Sequence, residues 1–246
     1  MRVQCLGSGG YHPNERRHTA CYYLPEQNLL LDAGTGAYRL ADRLVSTELT
    51  IVLTHAHLDH ICGLTFLLVP MLLGKLTNVE ILAEQKTIDA VEKHLFDPAV
   101  FPMRPDFKMT PIIAGDELQL GEVTLSTCPL PLHPGGSLGV KLTSPNAVLA
   151  YITDTVTSED YIPFIQGANL LLHECYFPDE KAEWCEPSGH SHTTAVARIA
   201  KAAKVQQMGL IHVDPQCEDD DPIGIEVARK IFPRTVMVED LDIFEV

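Results

Sequence analysis

The sequence predicts a mixed α/β (α+β) protein in a single domain spanning residues 1–246. Three observations carry that expectation. Apolar runs of strand length, such as 49–53, 147–152, 169–173 and 207–211, alternate with helix-length stretches such as 86–95 and 194–203. Many of the runs stop at a histidine or an aspartate instead of continuing apolar, as at Asp32, His55, Asp154 and His212. No linker-like stretch and no internal repeat divides the 246 residues.

Composition narrows the function classes. Hydrophobic residues make up 46% of the chain, enough for a large core. There are 33 acidic residues against 18 basic ones, a formal net charge of -15 that repels nucleic acid. The densest basic cluster is Arg16-Arg17-His18, and the run Glu218-Asp219-Asp220-Asp221 reads as a solvated loop. No apolar run is long enough for a membrane helix, and the N-terminus enters a strand directly, so a cytoplasmic protein without a signal peptide is expected. The seven cysteines are odd in number, scattered and without a CxxC, which fits buried thiols; Cys62 is read as a packing residue.

Along the chain, residues 2–6 form a first strand ending in Gly7-Ser8-Gly9-Gly10. Loop residues Tyr11-His12-Pro13-Asn14 follow where a phosphate-binding turn would need a helix, so the glycines are read as a plain turn and His12 and His18 as surface. Residues 19–24 and 28–32 form a hairpin around Pro25-Glu26-Gln27. Asp32, at the end of three leucines, either caps a helix over 36–45 or holds a metal-binding histidine by its second ring nitrogen. Strand 49–53 then runs into Thr54-His55-Ala56-His57-Leu58-Asp59-His60. Imidazole and carboxylate donors at that density after a buried strand suit zinc, and extend to iron or manganese.

His55, His57, Asp59 and His60 together resemble the HxHxDH signature of the metallo-β-lactamase superfamily. Later residues match the remaining motifs in order: His133 in a glycine turn, Asp154 after strand 147–152, and His212 after strand 207–211. Taken alone, Asp154 reads as a cap for a helical-looking stretch from Thr155 to Ile165. Residues 61–73 should form a buried helix, followed by a strand at 79–83 and a helix at 86–95. The proline-rich stretch 97–111, with Phe96, Phe101, Met103 and Phe107 in and beside it, is either a substrate-facing lid or a loop with aromatics tucked into the core. Strands at 122–128, 138–143, 235–238 and 241–245 and a helix at 223–231 complete the pattern. The resemblance implies a four-layer αββα metallo-β-lactamase sandwich, two mixed β-sheets flanked by helices.

The same resemblance implies the site. His55, His57 and His133 would hold metal one, and Asp59, His60 and His212 metal two, with Asp154 bridging. Two divalent ions are implied, zinc first and manganese or iron as substitutes, with a metal-bridging hydroxide as nucleophile. Asp59 counts with the catalytic residues as well as with the ligands. The strand-end Glu174, Phe177 and the Gly189-His190-Ser191 element resemble the ribonuclease Z and phosphodiesterase branch, in which the glutamate orients the histidine for transition-state stabilisation or leaving-group protonation. His192 is the rival for that role, and His173 reads as a packed residue. One departure matters: ribonuclease Z carries a long tRNA-binding arm, usually between the residues matching His133 and Asp154, here only 21 positions apart. The expected function is a dinuclear metal-dependent hydrolase of a small phosphodiester. The alternatives are an aryl sulfatase-like or other ester hydrolase, and a ribonuclease Z without its arm. A flavodiiron oxidoreductase would need HxExD and a flavin domain. The expected partner is a small-molecule substrate, not nucleic acid or membrane, with a homodimer left open.

Overall fold

The computed structural model describes residues 1–217 and 219–246. Glu218, first of the acidic run, lies outside the described residues, and Asp219–Asp221 are exposed. The chain forms two compact units, Met1–Ile113 with Glu239–Glu245, and Ala114–Val238.

The first unit holds a seven-stranded sheet. Its strands are β1 (Arg2–Gly7), β2 (Cys21–Leu24), β3 (Leu29–Leu31), β4 (Glu48–Val52), β5 (Asn78–Ala83), β6 (Lys108–Pro111) and β14 (Ile243–Glu245), in the order β14-β1-β2-β3-β4-β5-β6. Pairing is antiparallel from β14 to β3 and parallel from β3 to β6. The second unit repeats that plan. Strands β7 (Glu117–Leu120), β8 (Val123–Leu130), β9 (Ser137–Thr143) and β10 (Val148–Ile152) are antiparallel; β10, β11 (Leu170–Glu174), β12 (Gln207–Ile211) and β13 (Thr235–Met237) are parallel. Parallel strands covered on both faces need continuous apolar sequence. Leu29–Leu31 and Leu170–Leu172 supply it and are buried throughout.

These parallel strands aim the chemistry. Asp32 follows β3, Thr54-His55 follows β4 after one residue, Asp154 follows β10 after one residue, Glu174 ends β11, and His212 follows β12. The register aligns Ile152 with His173 and Glu174 with Ile211, so the ends of β10, β11 and β12 lie level. Carboxyl ends of parallel strands are where α/β sheets place ligands.

Several expected elements differ. The stretch 61–73 is not one buried helix. Helical turns Leu58–Ile61 and Leu68–Leu72 flank a 3₁₀ turn, Cys62–Leu67, and only one face packs inward through Leu64 and Leu67. Val69, Leu72 and Leu73 are exposed. At Gly63 a Cβ would lie 2.2 Å from the carbonyl oxygen of Gly34, so only glycine allows this close an approach of the turn to Gly34. The expected helix at 36–45 is a 3₁₀ helix, Thr35–Asp42, and the one at 86–95 changes from α (Gln85–Ala90) to π (Val91–Leu95). Thr155–Ile165 is helical only from Glu159, where the Ser158 hydroxyl accepts from the Asp160 N–H. The cap of this helical turn is therefore Ser158 and not Asp154. Within 97–111 the core wins over the lid: Phe96 and Phe107 are buried and Phe101 packs beside them, leaving Met103 exposed. Among the described residues no helix is long and apolar enough to cross a membrane. All seven cysteines are free thiols.

Candidate metal centre

In the first unit, Asp32 organises the histidine cluster. It is fully buried and held at a left-handed φ of 54°. Its Oδ2 lies 2.8 Å from His60 Nδ1, and its Oδ1 accepts the Thr54 N–H at 2.9 Å. The Thr54 hydroxyl donates to the same carboxylate at 2.9 Å and lies 3.1 Å from His55 Nδ1. A carboxylate only accepts, so His60 must donate from Nδ1. The single hydroxyl proton of Thr54 is committed to Asp32, so His55 must donate to Thr54 from Nδ1. Both rings are thereby fixed in the tautomer whose Nε2 carries a lone pair, the form that ligates a metal. The His55 ring centroid lies 4.5 Å from that of His57 and 4.3 Å from that of His60. Asp59 Oδ2 lies 3.5 Å from His60 Nε2 and accepts the Tyr11 N–H at 2.8 Å. Of Asp32's two expected roles, the histidine-holding one is the role it fills.

In the second unit, His133, Asp154 and His212 lie close together. His133 is buried, with Nδ1 3.0 Å from the carbonyl oxygen of Gly189, which again leaves the lone pair on Nε2. That Nε2 lies 3.7 Å from Asp154 Oδ2, while His212 Nε2 lies 3.3 Å from Asp154 Oδ1. Asp154 and His212 both sit at positive φ, 47° and 58°, conformations that cost a non-glycine residue roughly 1 kcal/mol or more.

Glu174 is buried completely and ties three segments together. Its Oε1 accepts the Thr155 N–H at 2.9 Å and lies 3.2 Å from His190 Nδ1; its Oε2 accepts the Ser191 N–H at 3.2 Å. The turn after Asp154 and the 189–191 turn are thus pinned to one carboxylate. Donor atoms of Glu174, His190 and His212 all lie within 4.8 Å of one another. Gly189 is the residue this packing requires: at φ 75° its Cβ would meet Pro134 Cδ at 2.5 Å and His133 Nδ1 at 2.9 Å. His192 is turned elsewhere, with Nδ1 2.8 Å from Asp179 Oδ1. His173 is buried between Tyr161, whose hydroxyl lies 2.9 Å from Nε2, and the Glu174 carbonyl, 2.7 Å from Nδ1. Phe177 is buried, and bridges to His192 through the backbone.

The donors fit divalent cations. They combine imidazoles with fixed lone pairs and carboxylates at strand ends, a set that suits zinc, manganese or iron. Sequence reasoning passed over Thr54, which relays Asp32 to His55, and Tyr176, whose ring stacks on His190 at 4.7 Å and 18°. It also gave no role to the Tyr11 N–H. Thr54 and Tyr176 each lie one or two positions from a residue that was singled out, so adjacency was the available signal.

Residues 27–213 match the family described as Beta-lactamase superfamily domain. The chain belongs to the metallo-β-lactamase superfamily. As a superfamily member it is similar to the ribonuclease Z of Saccharolobus solfataricus, at 26% identity covering 98% of each chain. That match runs over 294 residues against the 246 of this chain, so the relative carries segments this chain lacks. Among solved structures it is similar to the metallo-beta-lactamase fold protein YhfI of Bacillus subtilis, at 22% identity and TM-score 0.83 over 99% of both chains. A diphosphatase of the PhnP family is similar at 20% identity and TM-score 0.74, covering 99% of this chain and 97% of that one. These likenesses establish the metallo-β-lactamase fold, and the similar proteins whose names state an activity, the ribonuclease Z and the diphosphatase, are hydrolases.

Proposed function

We propose that the protein is a dinuclear metal-dependent phosphodiesterase acting on a small phosphodiester. His55, His57 and His133 are assigned to metal one, Asp59, His60 and His212 to metal two, and Asp154 to both. The observation that carries the reading is the Glu174–His190 pair, built into the same corner as Asp154 and His212. Two divalent ions held there, zinc by this reading, would supply activation of water and an offset to the charge that develops on a phosphoryl group. The protein's own contribution is proton control. Glu174 takes the Nδ1–H of His190 and fixes the ring, so Nε2 is the atom that delivers a proton to the departing oxygen. Tyr176 stacks against that ring and limits its rotation.

Substrate size is argued from what lies between His133 and Asp154. The chain there is a turn, β9, a four-residue connection and β10, with no room for an arm that grips tRNA. The net charge of -15 argues in the same direction. Ribonuclease Z activity is therefore the second reading, supported by the curated relatives, and hydrolysis of another ester such as an aryl sulfate is the third. The cytoplasm is the proposed location, and a small molecule the proposed partner.

The test is hydrolysis of bis(p-nitrophenyl) phosphate by zinc- or manganese-loaded protein, beside His190→Ala and Asp154→Ala. A precursor tRNA with a 3′ trailer and p-nitrophenyl sulfate serve as competing substrates. Turnover of the phosphodiester, lost in both variants, is the expected result. A fully loaded protein that cleaves only the tRNA or only the sulfate overturns the assignment.

A further inference from the structure

The loop between β1 and β2 carries more order than a surface turn needs. Its base is clamped by the C-terminal segment of the same unit. Asp240 accepts from the Ser8 N–H at 2.9 Å, from the His18 N–H at 2.8 Å and from Arg39. Glu239 accepts from Arg16 at 2.6 Å and from Arg17 at 2.7 Å. Arg16 and Arg17 of the basic cluster are thus both paired within the fold, and Arg17 is buried. The loop closes on itself through Gly9 N–H to the His18 carbonyl and Asn14 N–H to the Arg17 carbonyl, both 2.9 Å.

The tip of this braced loop is Tyr11. Its backbone N–H is spent on Asp59 Oδ2. Its φ is 58°, a conformation uncommon for a bulky aromatic residue, where glycine would be free of strain. The residue is 63% exposed, with the His12 ring centroid 5.0 Å from its own and His12 Nδ1 3.0 Å from the Pro13 carbonyl. Nothing about holding Asp59 requires a side chain, since glycine offers the same N–H. A strained backbone that keeps a large exposed side chain at the residue whose N–H holds a carboxylate assigned to metal two marks that side chain as the functional part.

We propose that Tyr11, flanked by His12, is an aromatic subsite that stacks the flat organic group of the substrate. This rests on the phosphodiesterase reading and narrows it: the phosphodiester carries an aryl group or a nucleobase on the side facing Tyr11. Stacking of one ring is worth roughly tenfold or more in affinity. Because the loop backbone is braced before binding, little of that gain is lost to ordering the loop.

The experiment is calorimetric binding of phenyl phosphate and methyl phosphate to zinc-loaded wild-type protein, Tyr11→Gly and Tyr11→Phe. The Gly variant keeps the N–H to Asp59, and bound zinc per chain is measured for all three. Expected is a wild-type preference for phenyl phosphate of roughly tenfold, kept in Tyr11→Phe and lost in Tyr11→Gly, at equal zinc content. Equal affinity of wild type for the two phosphates overturns the subsite, as does a preference that survives in Tyr11→Gly. Binding needs no turnover, so the two readings fail separately. A wild type that shows the phenyl preference yet hydrolyses no phosphodiester overturns the reaction and keeps the subsite.

Discussion

Replacing Asp32 by Asn tests the claim that one carboxylate sets two ligand tautomers. The Asn side chain is nearly isosteric, and the site is closed to solvent. If the amide oxygen faces Thr54, its NH₂ faces His60 Nδ1. If it is flipped, the NH₂ opposes the Thr54 N–H. Each orientation sets donor against donor, and the cheapest relief is for His60 to move its proton to Nε2. That consumes the lone pair assigned to metal two. Loss of a partner behind a ligating histidine weakens metal affinity by about 10–100-fold, or about 1.4–2.8 kcal/mol. The expected result is a weakened metal-two site with metal one bound nearly as before, read by two-site competition with a chromophoric chelator. Asp32→Ala goes further, stripping the acceptor from the Thr54 N–H, the Thr54 hydroxyl and His60 Nδ1, and should lower unfolding free energy by about 3 kcal/mol. An Asn variant that binds both ions with wild-type affinity would refute the tautomer argument.

Three other perturbations have defined outcomes. His190→Ala should lower kcat on bis(p-nitrophenyl) phosphate by about 10²–10⁴ while both ions stay bound, the range expected for a lost general acid; an unchanged kcat would remove His190 from the chemistry. Gly189→Ala should cost roughly 1–3 kcal/mol in chemical denaturation, because the new methyl meets Pro134 Cδ at 2.5 Å on a left-handed backbone. For His173, burial holds the ring below its ordinary range. Its neutral form is favoured in the fold, so its contribution to stability is complete above about pH 6.5 and is lost as the pH falls from there toward the lower folded value. His173→Gln should flatten that part of the stability–pH curve, measured by urea titration; an unchanged slope would contradict the sign.

Legibility in the sequence followed physical range. Strands buried on both faces could be read almost to the residue, as with Gln207–Ile211, because a continuous apolar run bounded by polar residues has one economical conformation. The donors at strand ends were legible for the same reason: His55, Asp154 and His212 interrupt such runs. Helices were read less well. The stretch 61–73 is apolar on every face, so its pattern could not reveal that it divides into short turns and leaves Val69 and Leu72 in solvent. Strand β7 escaped notice because an exposed edge strand, Glu117-Leu118-Gln119-Leu120, has too short an alternation to stand out. The relay from Asp32 through Thr54 to His55 spans 22 positions between carboxylate and hydroxyl, and no local pattern encodes a hydrogen bond of that separation. The same holds for Glu239 and Asp240, which reach back to Arg17 and Ser8 from the far end of the chain.

The left-handed residues at the strand ends offer a way to separate fold from function. Asp154 follows β10 after one residue and His212 follows β12 directly, each at a φ where a Cβ is costly. Such a residue bends the backbone away from the strand conformation as the strand stops. A site that needs donors there must accept the strain or use glycine, and glycine has no donor. Asp154→Ala and Asp154→Gly remove the same carboxylate, and with it the contacts to His133, His212 and Thr153. They differ in the strain that Ala keeps and Gly relieves, set against the greater freedom of an unfolded glycine. With the former at about 1–2 kcal/mol and the latter at about 0.4–1 kcal/mol, the metal-free Gly variant should be the more stable by about 0.5–1 kcal/mol. Both should lose turnover and both should bind metal weakly. If urea titration shows the Ala variant equal to the Gly variant or more stable, then the backbone at Asp154 is unstrained, and its left-handed turn is no cost borne for the carboxylate.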